Sequence, residues 1–308
     1  MGAPNVRALC AAILARGTGL VPIPYTPVKR LELLDAGAGD SGAASVADVL
    51  NNGVLVGVAL ESVSLIRCGV GPDGVGALGS ALMLGGNTSL LSLSLDCNVI
   101  GYVGTRLLCR GLLTNRVLKR LSLASVDMCE DGAFEVASYI NSSLCVLEAL
   151  DLSGNNIGLA GLQSLSVSAL YSKTLVELTL CNCGLSSRVI DSQSAGNLLA
   201  LPSGPGGPDA SAASKAGTET DNHPAAGTPG STAFDSLGRA LASPDCALGA
   251  VDLDGNPMNE ADAASLLHHL QAVPVKVTKL IVPKTLTSAT FAALFRNIIA
   301  KKKGKGAK

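Results

Sequence analysis

Apolar residues recur along this chain in a fixed register: apolar-x-x-apolar-x-apolar-x-x-Asn/Cys-x-apolar. Leu90, Leu93, Leu95, Asn98 and Ile100 fit it, as do Leu147, Leu150, Leu152, Asn155 and Ile157. So do Leu60, Val63, Leu65, Cys68 and Val70; Leu175, Leu178, Leu180, Cys183 and Leu185; and Leu248, Val251, Leu253, Asn256 and Met258. Leu118, Leu121, Leu123, Val126 and Met128 form a looser copy. Val28, Leu31, Leu33, Ala36 and Ala38 open the array, and Val277, Leu280 and Val282 close it. Taking the first apolar residue of each copy as position 1, the copies start at 28, 60, 90, 118, 147, 175, 248 and 277. All but one of the steps lie between 28 and 32 residues; the exception is 73. Fixed periods of this size mark a stacked-repeat architecture.

Each copy predicts one strand and one helix. The apolar-x-apolar stretch alternates faces as a half-buried strand does. The Asn or Cys at position 9 can satisfy backbone groups where the strand turns away. A Gly column follows (Gly42, Gly74, Gly104, Gly132, Gly161) and is expected to allow a tight turn before the helix. Apolar pairs at helical spacing come next: Val46/Leu50, Leu78/Leu82, Leu108/Leu112, Val136/Ile140 and Leu266/Leu270. One unit cannot bury its own apolar face, but stacked units share a continuous core.

These columns resemble the leucine-rich repeat, in the long 28–29-residue subclass typified by ribonuclease inhibitor, Ran GTPase-activating protein and tropomodulin. The resemblance covers about residues 28–300. It implies an α/β leucine-rich-repeat solenoid: a right-handed open arc with about eight parallel strands on the concave face and helices on the convex face. At about 4.8 Å per strand, eight strands span roughly 34 Å. The family hosts many unrelated partners, so the resemblance speaks to fold more than to function.

Residues 1–27 read as an N-terminal capping helix and linker, with Val6, Leu9 and Ile13 on one helix face. The last helix is expected over Ala289–Ile299, after an N-cap at Ser288. The 73-residue step holds an insertion at about 189–232. Its part Pro202–Thr232 has no Val, Ile, Leu, Met, Phe or Tyr and five of the chain's 14 Pro, a composition that predicts disorder. The tail Lys301–Lys308 carries five Lys in eight residues. It reads either as a solvated helix end or as a contact for an acidic surface.

Composition narrows the function classes. Charged residues make up 15% of the 308 and the net charge is −1, which argues against a general nucleic-acid binder. No continuous apolar window of about 18 residues occurs, so no membrane span is expected. Residues 1–31 hold Arg7, Arg16, Lys29 and Arg30 with no acid, which leaves a mitochondrial presequence open. Nine Cys, an odd number, and no convincing secretory signal point to free thiols in a reducing compartment.

Several patterns imitate chemistry. Gly37/Gly39/Gly42 and Gly69/Gly71/Gly74 both match G-x-G-x-x-G between a strand and a helix. They are 32 residues apart, which is the repeat step, so they are one turn used twice. Cys181-x-Cys183 has no second pair at zinc spacing and reads as a packed thiol beside an outward one. His223 lies in the insertion; His268 and His269 lie between Leu266 and Leu270 and face solvent or the next helix. No nucleophile elbow, P-loop or HExxH occurs, so the chain reads as no enzyme, with no catalytic residue, metal or cofactor.

The resemblance implies that partners bind the concave face. Positions 3, 5 and 7 of each copy point there. They supply the candidate binding residues Arg30, Glu32, Ser64, Ser94, Asp96, Arg120, Asp151, Glu177, Thr179, Asp252 and Asp254. None of the 24 residues in these columns is aromatic, six are acidic and three basic. On strands five to seven every charge is acidic. The expected function is a non-enzymatic scaffold that binds a protein partner through a basic segment. It would use the concave face and the strand-to-helix rim, inside a larger cytoskeletal or axonemal assembly. The expected location is the cytoplasm, in association with the cytoskeleton or cilium. The alternative is a GTPase-activating regulator of a Ran-like small GTPase.

Overall fold

A computed structural model describes residues 2–17, 28–83, 87–185, 233–272 and 276–283. A first helix α1 (Ala3–Gly17) precedes alternating strands and helices. In chain order these are β1 (Arg30–Leu34), α2 (Gly39–Asn52), β2 (Ser62–Ile66), α3 (Pro72–Ala81), β3 (Ser92–Ser94), α4 (Gly101–Leu112), β4 (Arg120–Ser122) and α5 (Glu130–Ile140). They continue with β5 (Ala149–Asp151), α6 (Gly158–Tyr171), β6 (Glu177–Thr179), α7 (Ala233–Ala242), β7 (Ala250–Asp252), α8 (Glu260–Ala272) and β8 (Lys279–Ile281). A short 3₁₀ turn, Gly53–Val56, follows α2. The strands form one eight-stranded parallel sheet in chain order. Consecutive helices pack side by side from α1 to α8. This is an α/β solenoid with the arc topology of leucine-rich repeats.

Every strand covers positions 3–5 of its repeat, and β1 and β2 run on to position 7. The register pairs like with like: Leu93 with Leu121, Leu150 with Leu178, Leu178 with Val251. Positions 4 and 6 are buried in the first seven repeats, and Leu280 and Val282 of the eighth pack against the same core. The sheet crosses the long step unbroken, since β6 pairs directly with β7. Helix α1 caps the first repeat, burying Val6, Cys10 and Ile13, with Leu9 half-buried. The insertion at 189–232, the last helix at 289–299 and the basic tail at 301–308 lie outside the described residues, as does the linker 18–27.

The position-9 column joins neighbouring repeats. Asn98 accepts from the backbone N–H of Cys68 and Val70 and donates to the carbonyls of Leu65 and Leu95, at 2.6–3.0 Å. Asn155 does the same for Val126, Met128, Leu123 and Leu152. Asn256 repeats it for Cys183, Leu185, Leu180 and Leu253. Each Asn therefore serves mainly the repeat before its own. The other junctions are made differently. Gly39, Gly101 and Gly158, all in the left-handed region, donate a backbone N–H to the carbonyls of Cys68, Val126 and Cys183 in the next repeat. Gly-linked and Asn-linked seams alternate over the first six junctions of the array.

The glycine column is the one local expectation that fails. Gly42, Gly74, Gly104, Gly132 and Gly161 lie inside the first turns of helices, and none has a positive φ. The column exists for space. A Cβ at Gly74 would lie 2.6 Å from Asp40 Oδ1 and 2.9 Å from the Ala43 Cβ; one at Gly161 would lie 2.9 Å from the Ala133 Cβ. Gly74, Gly104 and Gly161 let neighbouring helices touch, and Gly132 makes room for the Met128 side chain of its own repeat.

Candidate functional site

The sheet register gathers the candidate residues on one open face. Position 3 forms a row that runs Arg30, Ser62, Ser92, Arg120, Ala149, Glu177, Ala250, Lys279. Position 5 forms a parallel row of Glu32, Ser64, Ser94, Ser122, Asp151, Thr179, Asp252 and Ile281. Arg30, Glu32, Arg120 and Glu177 are exposed; Ser64, Ser94, Asp151, Thr179 and Asp252 are half-buried between neighbours. Asp96 and Asp254 follow at position 7, also half-buried.

The charges are not equally available. Asp96 is spent internally: Ser94 Oγ donates to Oδ2 at 2.9 Å, Ser122 Oγ to Oδ1 at 2.6 Å, and the Ala124 N–H to Oδ1 at 2.9 Å. It ties the end of β3 to β4. Asp151 and Asp252 each accept the N–H two residues on, from Ser153 at 2.9 Å and Asp254 at 3.0 Å, and both stay half-exposed on the sheet face. Arg30 and Glu32 face each other at 3.7 Å in solvent, a pair that holds at most about 1 kcal/mol. Arg120 and Glu177 make no side-chain hydrogen bond or ion pair among the described residues. They flank a shallow hollow of about 240 Å³ that also touches Ser94, Ser122, Asp151 and Thr179. A second hollow, about 100 Å³, lies between Glu177, Thr179, Asp252 and Lys279.

The imitations of chemistry resolve into packing. The first turn of α3 would be the phosphate seat of the second G-x-G-x-x-G segment, but Asp40 fills it. The N–H groups of Gly71 and Gly74 donate to Asp40 Oδ1 at 2.7 and 2.9 Å, which gives the helix dipole its anion internally. Cys183 is buried, with its Sγ 3.3 Å from the Leu152 carbonyl, and burial pushes its thiol up to about 12. Cys181 points to the sheet face. Burial first, then its hydrogen bond to Asp252 and that carboxylate's charge, push it up to about 11. Its thiolate fraction near neutral pH is then on the order of 10⁻⁴. Iodoacetamide at neutral pH should therefore label the exposed Cys97 and Cys129 well before Cys181, as read by peptide mass spectrometry; equal rates would contradict this environment for Cys181.

His269 turns to the neighbouring helix, with Nε2 2.6 Å from Asp235 Oδ1, while His268 faces solvent. Burial opposes the Asp235 charge, but hydrogen bonds from His269 and Arg239 outweigh it and hold the carboxyl below the usual range. Among the described residues no group of three or more His, Cys, Asp or Glu could hold a metal ion. No helix among them is long and apolar enough to cross a membrane.

Sequence reading missed a second polar column. Asn87 Nδ2 donates to the Leu50 carbonyl and Asn115 Nδ2 to that of Leu82, closing the ends of the preceding helices. Their side-chain oxygens accept from the N–H of Leu90 and Leu118. The signal was present: each Asn stands three residues before a position 1.

The repeat architecture defines the class of fold, an alternating α/β solenoid with the arc topology of leucine-rich repeats. Residues 86–109 and 143–166 match the leucine-rich-repeat family model. The chain is 34% identical over 134 residues to "NACHT, LRR and PYD domains-containing protein 12" of Mus musculus, which covers 43% of this chain and 12% of that protein. It is 34% identical over 128 residues to ribonuclease inhibitor of Sus scrofa, covering 41% of this chain and 27% of that protein. The chain thus spans from about an eighth to about a quarter of these curated relatives. Among solved structures it is similar to "Leiomodin-1 Actin-Binding Site 2 (ABS2)", with a TM-score of 0.40 at 12% identity over 76% of this chain and 90% of that one.

Proposed function

We propose that this protein is a non-enzymatic binding scaffold whose sheet face, over β5–β7, holds a basic segment of a partner protein. One observation carries the reading. Glu177 stands exposed with no side-chain partner among the described residues, two residues along β6 from the row in which Asp151 and Asp252 flank Thr179. Three acids on adjacent strands, with Asp254 beside them, raise the local negative potential and draw a cationic segment. The face around them is Ser, Thr and Ala, without aromatic anchors, so electrostatics and shape supply the specificity. A charge content of 15% also fits a chain that works as a part of a larger assembly.

Affinity capture with the wild type and with Glu177→Lys combined with Asp252→Asn tests this. The Asn keeps the acceptor for the Asp254 N–H, so the turn survives. Partner recovery should fall about tenfold, and wild-type recovery should fall as salt rises. Undiminished recovery of the same partners by the variant would sink the reading.

A further inference from the structure

The outer face of the helices differs in kind from the sheet face. The exposed Phe and Tyr rings among the described residues lie there: Phe134 on α5 and Tyr171 at the end of α6. Helix α6 has no charged residue, yet Val167 and Tyr171 stand on its outside, 50% and 64% exposed. Val103 on α4 extends this apolar band. Its flanking charges are sorted by helix. Helix α4 carries Arg106 and Arg110; α5 carries Asp131 and Glu135. None of these four forms an ion pair among the described residues. Arg106 lies over the Tyr102 ring at 5.2 Å. A basic helix beside an acidic one, each unpaired, is a surface complementary to itself.

The repeat geometry specifies how. Helices α3 to α6 run side by side in the same direction. A two-fold axis parallel to them, in the groove between α4 and α5, lays α4 of one copy on α5 of another and α3 on α6. Heights along the helices are preserved. Arg106 and Phe134 both occupy position 17 of their repeats and Glu135 position 18, so Arg106 meets the ring and the carboxylate of the second copy. On the flanks, Val167 meets Ser80, both at position 21, and Tyr171 meets the exposed Met83, one position away. Bulk faces a small residue and plus faces minus, twice over, as an isologous contact requires.

We infer that the outer face of α3–α6 is the contact of a symmetric homodimer, paired through Arg106, Phe134 and Glu135. The partner is a second copy of this chain, and the sheet faces of both copies stay open. The surface is helical and bounded to four helices, so the dimer exchanges with monomer rather than being permanent.

Sedimentation velocity over a range of concentrations tests it with the full chain. The weight-average mass should rise from 30.9 kDa toward twice that value, and the midpoint should move to higher concentration as salt rises. Phe134→Glu should hold the mass at monomer. Arg106→Glu and Glu135→Arg should each weaken association by about tenfold. The double variant should restore it, because each new Arg meets a new Glu. Circular dichroism checks that every variant is folded. A wild type that stays monomeric at all concentrations overturns the inference. So does a dimer insensitive to these substitutions, a double variant that fails to recover, or a Phe134→Glu effect confined to the binding of a different protein.

Discussion

Gly111→Ala should destabilise this protein by about 3 kcal/mol or more, although the same change in an unpacked helix would stabilise it by about 1 kcal/mol. The reason is where α3 and α4 touch. A Cβ at Gly111 would run into the Gly79 carbonyl oxygen and lie 2.5 Å from its carbon and 2.8 Å from the Gly79 Cα. From the other side, a Cβ at Gly79 would lie 2.9 Å from the Leu107 carbonyl oxygen. All of these are backbone atoms, so no rotamer change relieves the clash. The helices must part, and that opens space around Leu78, Leu108 and Leu112, which are now fully buried. Gly76→Ala is the control. Its Cβ would meet only the end of the flexible Leu107 side chain, at 3.2 Å, and its effect should stay within about 1 kcal/mol. Thermal melts of the two variants check the difference. If Gly111→Ala melts with the wild type, the close approach of α3 and α4 is wrong.

Asn155→Ala is expected to cost about as much by a different route. The side chain makes four buried hydrogen bonds, to the N–H groups of Val126 and Met128 and the carbonyls of Leu123 and Leu152, at 2.7–3.0 Å. Removing it strands groups that cost about 1–3 kcal/mol each when unpaired. The losses do not add, because the four share one site and water can enter; a total near 3 kcal/mol is the reasonable sum. Asn155→Asp should be no better. It keeps the acceptor, loses both donor contacts and buries a charge. The exposed neighbour Asn156→Ala should be nearly silent. Urea denaturation followed by circular dichroism separates these outcomes: a lower midpoint with an unchanged slope marks lost native bonds, and equal midpoints for Asn155→Ala and Asn156→Ala would refute the ladder.

The strands were legible in the sequence because burial has a period there. Leu or Val at positions 4 and 6 can only be a strand with one face inside, and all eight strands fall on that frame. The Asn column was legible as a backbone partner, because a polar residue in an apolar column must be satisfied. Its direction, toward the preceding repeat, depends on how the units stack and has no sequence mark. The Gly column was misread because glycine answers two needs that look alike in a sequence, a positive φ and a close approach. The left-handed residues at position 8 are mostly not glycine: Asp35, Arg67, Cys97, Ser125 and Asn182. Composition could not have flagged them. In the candidate site, the face each residue occupies followed from alternation alone. Which acids were free did not. Asp96 and Glu177 look equivalent in the chain, yet one is consumed by Ser94, Ser122 and Ala124 and the other stands unpaired.

The alternation of seams makes a pair of repeats the smallest stretch that carries one seam of each kind. Asn98, Asn155 and Asn256 fasten the second repeat to the third, the fourth to the fifth and the sixth to the seventh. Gly39, Gly101 and Gly158 fasten the junctions in between. Excising an even repeat would set a Gly fastener and an Asn fastener at one junction, and excising an odd one such as the third would leave a junction with neither. Copying or removing a stretch such as residues 90–146 keeps the sequence of seams intact. Within the first seven repeats, the array can be lengthened or shortened by design with its seams intact only in double steps.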